Sequence, residues 1–155
     1  MTARIGVDPG ASGAIVILHD LQPVEWLLMP TIAVGSGRRV DCAEVARFLR
    51  GCGAHIGSHA LFELVGAMPG QGVTSMFAFG HSTGSVTGVL AALGIPVTHV
   101  TPQRWKKRAG LIGKDKDAAR SRAIQLWPHW AALGKKGAGQ ALADAALIAR
   151  FGGGE

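Results

Sequence analysis

Three carboxylates stand where apolar residues are expected. Asp8 follows the apolar run 5–7, Glu63 lies in the last half of a strand-like segment, and Asp144 lies among the alanines and leucines of 141–148. An unpaired carboxylate is costly to bury, and three inward carboxylates repel one another unless one is protonated or a cation neutralises them. Mg²⁺ suits this role because it takes oxygen ligands and keeps waters that a substrate phosphate can replace. The pattern predicts that Asp8, Glu63 and Asp144 are catalytic metal ligands for Mg²⁺, with Mn²⁺ as an alternative ion.

Paired metal ions give such a site a definite chemistry. Two ions about 4 Å apart activate a water and stabilise the leaving oxygen in phosphodiester hydrolysis, so two ions per active site are expected. Asp8 also has a simpler explanation, because an Asp before Pro9-Gly10 can hydrogen-bond its own turn. Both interpretations of Asp8 stay open on the local sequence.

The other acids have routine explanations. Asp41 and Glu44 match a capping box at the start of a helix, and Asp115 or Asp117 can cap the next basic helix. The remaining acids lie in a turn, on an alternating strand and at the terminus. Asp8, Glu63 and Asp144 are therefore the candidates for a reactive site.

The elements that position these acids follow from the apolar periodicity. Short connections between three β-rich segments predict an antiparallel meander. A right-handed crossover from the meander would place the fourth strand beside the first, so that Asp8 and Glu63 project from neighbouring strand ends. The predicted strands are 3–8, 13–19, 23–29, 59–65 and 95–100. The predicted helices are 41–50, 73–93, 102–107, 115–127 and 138–150, and segments 30–40 and 66–72 are expected to be loops. The fold class is α/β, with a five-stranded mixed sheet (three antiparallel strands, then two parallel ones) flanked by helices.

Gly80, Gly84 and Gly88 recur at every fourth residue of the predicted helix 73–93. Each glycine in a helix interior costs roughly 1 kcal/mol, so the row needs a packing reason. It makes a flat stripe for a second backbone, which is either the protein's own sheet or a second subunit.

Composition favours one domain over residues 1–155. No run of about 18 uncharged apolar residues is present, and the first four residues lead directly into a strand, so neither a membrane span nor a signal peptide is expected. Cys42 and Cys52 lack a metal-ligand spacing and are expected to be free thiols in a reducing compartment.

The net charge of +6 is concentrated in one segment. Residues 101–136 hold ten Lys or Arg and two Asp, so the rest of the chain is slightly acidic. A local basic excess favours a polyanion such as DNA as the partner, although a solvated helix face explains the same charge.

Several motifs together resemble one known family. They run in order along nearly the whole chain: Ile5-Gly-Val-Asp-Pro-Gly10, Phe62-Glu-Leu-Val65 followed by Met68-Pro-Gly-Gln-Gly72, Ser75-Met-Phe77, Phe79-Gly80, Ile95-Pro96, Thr101-Pro102, Trp105-Lys-Lys107 and Ala143-Asp-Ala145. The chain resembles a RuvC-type Holliday junction resolvase of the ribonuclease H superfamily, in the branch found in bacteriophages. The first motif is shared with actin-like ATPases and sugar kinases, whereas the Met-Pro-Gly-Gln-Gly loop after a strand glutamate is more specific.

This resemblance implies a homodimeric, metal-dependent endonuclease that cuts four-way DNA junctions symmetrically. It implies a ribonuclease H-like fold, metal ligation by Asp8, Glu63 and Asp144, and a cytoplasmic location, which is the host cytoplasm for a phage protein. The family usually adds a fourth acid or a His about one turn before the last Asp. Here Gln140 and Ala141 stand at those positions, which weakens the second metal site.

The predicted DNA contacts fall in two segments. Met68 is an unbranched apolar side chain suited to wedge between unstacked bases, although ordinary turn chemistry also explains its loop. Trp105 lies among basic residues and would either stack on a sugar or base or pack against its own helix. The predicted DNA-binding residues are Met68, Gln71, Arg104, Trp105, Lys106, Lys107, Lys114 and Lys116.

Three other functions fit parts of the sequence. An actin-like phosphotransferase would share the Asp8-Pro-Gly10 turn but needs a duplicated domain and a second phosphate loop. A non-catalytic junction-binding module would explain the missing fourth ligand but has no need for three inward acids. A nuclease of flaps, forks or other branched DNA is the third alternative, because phosphate contacts position DNA without encoding its branch geometry.

Overall fold

The computed structural model describes residues 2–154. Its main sheet has five strands in the order β3-β2-β1-β6-β7. These strands are β1 (Arg4–Asp8), β2 (Ala14–His19), β3 (Gln22–Leu28), β6 (His59–Glu63) and β7 (Val97–Val100). The β1-β2 and β2-β3 pairs are antiparallel, and the β1-β6 and β6-β7 pairs are parallel, as predicted.

The register places two acids at the same edge of this sheet. Val7 pairs with Phe62, so the next residues, Asp8 and Glu63, end adjacent parallel strands. Because the carboxyl ends of parallel strands meet at one edge, the predicted crossover brings these two acids together. This part of the sequence prediction is confirmed.

Five helices cover the two faces of the sheet. They are α1 (Cys42–Gly51), α2 (Val73–Ala92), α3 (Pro102–Ala109), α4 (Asp117–Leu126) and α5 (Lys136–Phe151). Asp41 caps α1 by accepting a hydrogen bond from the Glu44 backbone N–H, as the capping-box pattern predicted. A short 3-10 helix, Ala131–Gly134, precedes α5 and was not predicted.

Side-chain alternation along β2 divides the core into two layers. Val16 and Leu18 face a cluster formed with α3, α4 and α5, whereas Ile15 and Ile17 face a cluster formed with α1 and α2. Successive strand residues point to opposite faces, so a strand that is apolar on both faces must be covered on both. The sheet is therefore the middle layer of three.

Segment 30–40 is not a loop, and the prediction for it was wrong. It forms a separate two-stranded antiparallel hairpin of β4 (Thr31–Val34) and β5 (Gly37–Val40). Most of its side chains are exposed, so it lacks the apolar alternation by which a half-buried strand is recognised. Gly35, with φ of 59°, provides the left-handed residue of its turn.

The glycine stripe of α2 does not pack on the protein's own sheet. A Cβ atom placed on Gly80, Gly84 or Gly88 meets no neighbouring heavy atom within 4 Å in the described part of the chain. On the same side of the helix, Val73 is 84% exposed and Phe77 is 64% exposed. The sequence left two partners open for the glycine stripe. The protein's own sheet is excluded, and a second subunit stays a prediction.

Across residues 2–154 there is no helix with the length and apolar character needed to span a bilayer. Cys42 and Cys52 are free thiols, as expected, and the reducing compartment inferred from them stays a prediction.

Candidate active site

The third predicted acid, Asp144, reaches the sheet edge because α5 lies directly against β1. A Cβ atom on Gly6 would stand 1.9 Å from the backbone oxygen of Ala145, so only glycine allows this approach. The inward face of α5 is built largely from small side chains, including Ala145 and Ala149. Asp144 is thereby held beside the carboxyl ends of β1 and β6.

The acids lie close enough to perturb one another's protonation. Burial raises the pKa of Asp8 to about 8, and the negative charges of Asp144 and Glu63 add to the rise, while Lys106 opposes it. Burial also raises the pKa of Asp144 to about 6, and Glu63 contributes to that rise. This is the electrostatic behaviour expected of three inward carboxylates without a cation.

Glu63 is held by a tryptophan. The indole N–H of Trp105 donates a hydrogen bond to Glu63 Oε2 at 2.6 Å. Burial raises the pKa of Glu63, and both this hydrogen bond and the charge of Lys106 partly offset the rise. The bond occupies one carboxylate oxygen and fixes the direction of the side chain.

This contact corrects the sequence prediction for Trp105. The side chain is 1% exposed and belongs to the core cluster beneath α3, so it is not available to stack on a sugar or base. Of the two interpretations of Trp105, helix packing is the right one. Trp105 acts on the site from inside the protein, through Glu63.

Gln140 contacts Asp144 in a similar way. Its amide N–H donates to Asp144 Oδ1 at 3.1 Å, across the i, i+4 spacing of α5. Its amide oxygen, Oε1, is buried and has no hydrogen-bond partner among the described residues. Because an unsatisfied buried acceptor is costly, this oxygen is suited to meet a cation or a bound water.

Ala141 is the less suitable position for a fourth ligand. Helical spacing alone predicts that Ala141 faces the same way as Asp144, with Gln140 slightly rotated. Instead, Gln140 contacts Asp144, and Ala141 is 9% exposed within the core cluster. Gln140, four residues before Asp144, therefore shares the site, whereas Ala141, three residues before it, does not.

The three carboxylates are neighbours but do not form a preassembled ligand cluster. Among residues 2–154, no group of three His, Cys, Asp or Glu side chains is arranged to hold a metal ion as it stands. Trp105 holds Glu63 and Gln140 holds Asp144 by a hydrogen bond each. The donor set still fits Mg²⁺, because three carboxylates and an unpaired amide oxygen are all hard oxygen ligands.

A basic cleft of about 380 Å³ adjoins the acids. Asp144 and Gln140 line it together with Lys106, Lys114 and Lys116, and Asp115 is the second acid in its lining. Three of the four predicted DNA-binding lysines therefore line the cleft with Asp144, and Lys106 lies close enough to influence all three acids. An anionic substrate entering this cleft would meet positive charge before it met the carboxylates.

The other predicted DNA contacts lie at the surface. Met68 is 64% exposed in the loop after β6, and its backbone N–H donates to the side-chain oxygen of Gln71 at 3.3 Å. Arg104 and Lys107 are exposed on α3. These positions are accessible to DNA, and the contacts themselves stay predictions.

The raised pKa values predict how stability depends on pH in the absence of metal. The unfolded chain releases these protons near pH 3.8, whereas folded Asp8 holds its proton to about pH 8 and Asp144 to about pH 6. The free energy of unfolding should therefore fall as the pH rises between these values, by up to about 1.4 kcal/mol per pH unit for each proton retained only by the folded state. Asp8→Asn should remove the contribution of the Asp8 proton. The free energy of unfolding should then depend less on pH between pH 5 and pH 8.

Urea unfolding in EDTA across this pH range measures the effect. Asp117→Asn, at an exposed position of α4, is the matched control and should keep the wild-type slope. Equal slopes for the wild type and Asp8→Asn would show that Asp8 is not in a strained carboxylate cluster.

No family model matches the chain, but a curated protein and several solved structures are similar to it. Over 90 residues, or 57% of the chain, it is 34% identical to the protein described as "Holliday junction resolvase MOC1, chloroplastic" from Chlamydomonas reinhardtii. The chain spans only 10% of that relative's length, so this match does not carry the relative's activity over to it.

The solved structures match over nearly the whole chain. The one titled "T. thermophilus RuvC in complex with Holliday junction substrate" has a TM-score of 0.62 and 18% identity, covering 96% of this chain and 90% of that one. The one titled "Thermus thermophilus RuvC structure" has a TM-score of 0.58 and 17% identity, covering 96% and 91%. The predicted fold class is confirmed: the chain has the ribonuclease H-like α/β fold of RuvC.

Proposed function

We propose that this chain is a single-domain, metal-dependent endonuclease that cuts four-way DNA junctions by phosphodiester hydrolysis. The observation that carries the proposal is the convergence of Asp8, Glu63 and Asp144, from two strand ends and a helix, beside a lysine-lined cleft. The local similarity to a Holliday junction resolvase and the RuvC fold support the same function.

Each part of the site has a role in this proposal. Asp8, Glu63, Asp144 and the amide oxygen of Gln140 would hold Mg²⁺ or Mn²⁺, and we expect two ions. When bound, the ions supply an activated water and stabilise the leaving oxygen. Trp105 orients Glu63, and Lys106, Lys114 and Lys116 bind the DNA backbone near the scissile phosphate. Arg104 and Lys107 extend the basic surface, and Met68 and Gln71 lie in the loop that would border the branch point.

Asp8→Asn is expected to reduce cleavage to background while leaving junction binding unchanged. The substitution removes one carboxylate from the metal site but none of the basic residues that bind phosphate. Nicking of a four-way junction, a fork, a flap and a linear duplex in Mg²⁺, Mn²⁺ and EDTA measures both catalysis and substrate choice. Glu44→Gln on α1 is the control and should cleave normally.

Near-normal cleavage by Asp8→Asn would remove Asp8 from the proposed active site. Binding of a junction without cleavage in either metal would favour the non-catalytic junction-binding module. Faster cleavage of flaps or forks than of four-way junctions would keep the nuclease and change its substrate.

Gln140→Glu is expected to strengthen the metal site. A carboxylate in place of the amide adds a charged oxygen ligand one helical turn from Asp144. Mg²⁺ demands nearly octahedral geometry, so it should gain more from the added ligand than the more tolerant Mn²⁺. Calorimetric titration of each metal into the DNA-free protein should show a larger gain in affinity for Mg²⁺.

Cleavage rates in the two metals give a second measurement of the same effect. The wild type should be slow in Mg²⁺ and comparatively faster in Mn²⁺, and Gln140→Glu should narrow that difference. Ala141→Asp is the comparison variant, and it should lower stability because it buries a carboxylate in the core. Unchanged Mg²⁺ affinity in Gln140→Glu would contradict the assignment of Gln140 to the metal site.

We also propose that the protein is a homodimer that uses the open face of α2. Two symmetric cuts require two active sites, and each chain supplies one. The exposed stripe of Gly80, Gly84 and Gly88, extended by Phe77, allows a second copy to approach closely.

Gly84→Leu should convert the dimer to a monomer, which light scattering detects. The same change should stabilise the monomer by about 1 kcal/mol, because glycine is a poor residue in a helix interior. Loss of the dimer would therefore not reflect unfolding. Ser121→Leu, at an exposed position of α4, is the control. A wild-type protein that is monomeric with and without DNA would contradict the proposal.

A further inference from the structure

Four arginines from four different elements gather at the edge of the sheet opposite the acids. Arg4 begins β1, Arg108 lies near the end of α3, Arg122 lies on α4, and Arg150 lies near the end of α5. We call Arg4, Arg108, Arg122 and Arg150 the arginine cluster. It surrounds Phe151, with the guanidinium carbons of Arg150 and Arg122 at 5.5 Å and 6.0 Å from the ring centroid.

The cluster has no acidic partner in the described part of the chain. The ion pairs within residues 2–154 are those of His19 with Asp20 and of Arg47 with Glu44. Two of the arginines donate to backbone oxygens at the end of α5: Arg4 to Arg150 O at 3.3 Å, and Arg108 to Phe151 O at 3.3 Å and to Gly153 O. Arg122 donates to the side-chain oxygen of Gln125 at 3.4 Å. These bonds orient the guanidinium groups without neutralising them.

Capping of α5 explains only part of this charge. The carboxyl end of a helix carries roughly half a negative elementary charge, which a single arginine more than balances. Arg4, Arg108 and Arg150 bring three positive charges to one cavity, and Arg122 adds a fourth against the Phe151 ring. The Nε atom of Arg150 is also buried without a hydrogen-bond partner among the described residues. The unneutralised charge and the unpartnered donor make this place suited to bind an anion.

The cluster also encloses space for an anion. Arg4, Arg108 and Arg150, with Phe151 and the backbone of Gly153 and Gly154, line a cavity of about 320 Å³. Guanidinium groups match phosphate oxygens with paired N–H donors, and a tetrahedral phosphate can receive donors from several directions at once. A carboxylate has only two oxygens in one plane and suits three converging arginines less well.

One helix links this cavity to the candidate active site. Lys106 on α3 acts on the three acids, and Arg108, two residues later, belongs to the cluster. The two ends of β1, Arg4 and Asp8, are four residues apart, or roughly 13 Å along an extended strand. That distance corresponds to about four nucleotides at 3.4 Å of helix rise per nucleotide on one strand.

We propose that the arginine cluster is a second phosphate-binding site. Resting on the proposed function, we infer that its ligand is a backbone phosphate of the bound DNA, about four nucleotides from the phosphate that is cut. The site positions an arm of the substrate and takes no part in the chemistry.

Binding of four-way junction and linear duplex DNA in EDTA over a range of salt concentrations tests this proposal without cleavage. Arg108→Gln removes one phosphate contact but keeps an N–H donor for the backbone of α5. It should lower the slope of log affinity against log salt by about 0.9. Arg4→Gln combined with Arg108→Gln should lower it further. Arg50→Gln on α1 removes the same charge from another exposed surface and should leave the slope unchanged.

Thermal unfolding gives an independent measurement of phosphate binding. Inorganic phosphate, compared with chloride at equal ionic strength, should raise the melting temperature of the wild type and of Arg50→Gln more than that of Arg108→Gln. The melting temperatures in chloride show whether each variant is folded. Arg108→Lys, which keeps the charge but loses the paired donors, should respond to phosphate less than the wild type.

The two measurements distinguish a DNA phosphate, free phosphate and the absence of a phosphate site. A reduced salt slope in Arg108→Gln supports a DNA phosphate. A phosphate-dependent stabilisation that Arg108→Gln loses, with an unchanged slope, supports a phosphate site that takes free phosphate. A variant equal to the wild type in both measurements overturns the site. A wild type that binds no DNA contradicts the proposed function, and the phosphate titration still tests the arginine cluster.

Discussion

The close contact between α5 and β1 determines where the candidate active site forms. Gly6 gives the backbone of Ala145 room to approach the strand, since any side chain at this position would overlap the Ala145 oxygen. Asp144 is the residue before Ala145, and Asp8 is two residues after Gly6. A missing side chain in the middle of a buried strand therefore sets the distance between two of the three acids. A wider separation would leave Asp144 too far away to raise the pKa of Asp8.

This arrangement is costly for the folded protein, and neutral donors moderate the cost. Burial and mutual repulsion both act against ionising Asp8, Glu63 and Asp144 together. Trp105 and Gln140 each give one carboxylate a hydrogen bond without adding positive charge, and the positive charge of Lys106 lowers the pKa of all three acids. The cluster keeps an excess of negative charge that a divalent cation would balance. Buried carboxylates with raised pKa values are enriched at functional sites.

The sequence predicted the parts of this site that depend on local pattern. The strands carrying Asp8 and Glu63 are apolar runs with clear boundaries, and the handedness of crossovers placed them side by side. Asp144 was found because its helical neighbours are apolar. The hairpin at 31–40 was missed because its exposed side chains carry no burial signal, and its strands pair only with each other.

Trp105 and the arginine cluster show why the rest was not predictable. Within α3 the basic residues on either side of Trp105 suggested a DNA contact, although Trp105 and Ala109, four residues apart, form the buried side of the helix. That spacing was the available signal for an inward tryptophan. No comparable signal exists for the cluster, because its arginines come from positions 4, 108, 122 and 150 and meet only through the tertiary structure.

The distribution of charge explains how an acidic centre can accept an acidic substrate. A phosphodiester approaching three buried carboxylates would be repelled if it met them alone. Lys106, Lys114 and Lys116 line the cleft through which it would enter, and the arginine cluster lies at the opposite edge of the sheet. Because Coulomb interactions extend over roughly 8–10 Å at moderate salt, separate basic groups at the two ends hold a long polyanion better than one central patch. Positive charge beside the three acids and farther away from them attracts the substrate. A basic side chain among the acids would instead compete with the metal for the same carboxylate oxygens.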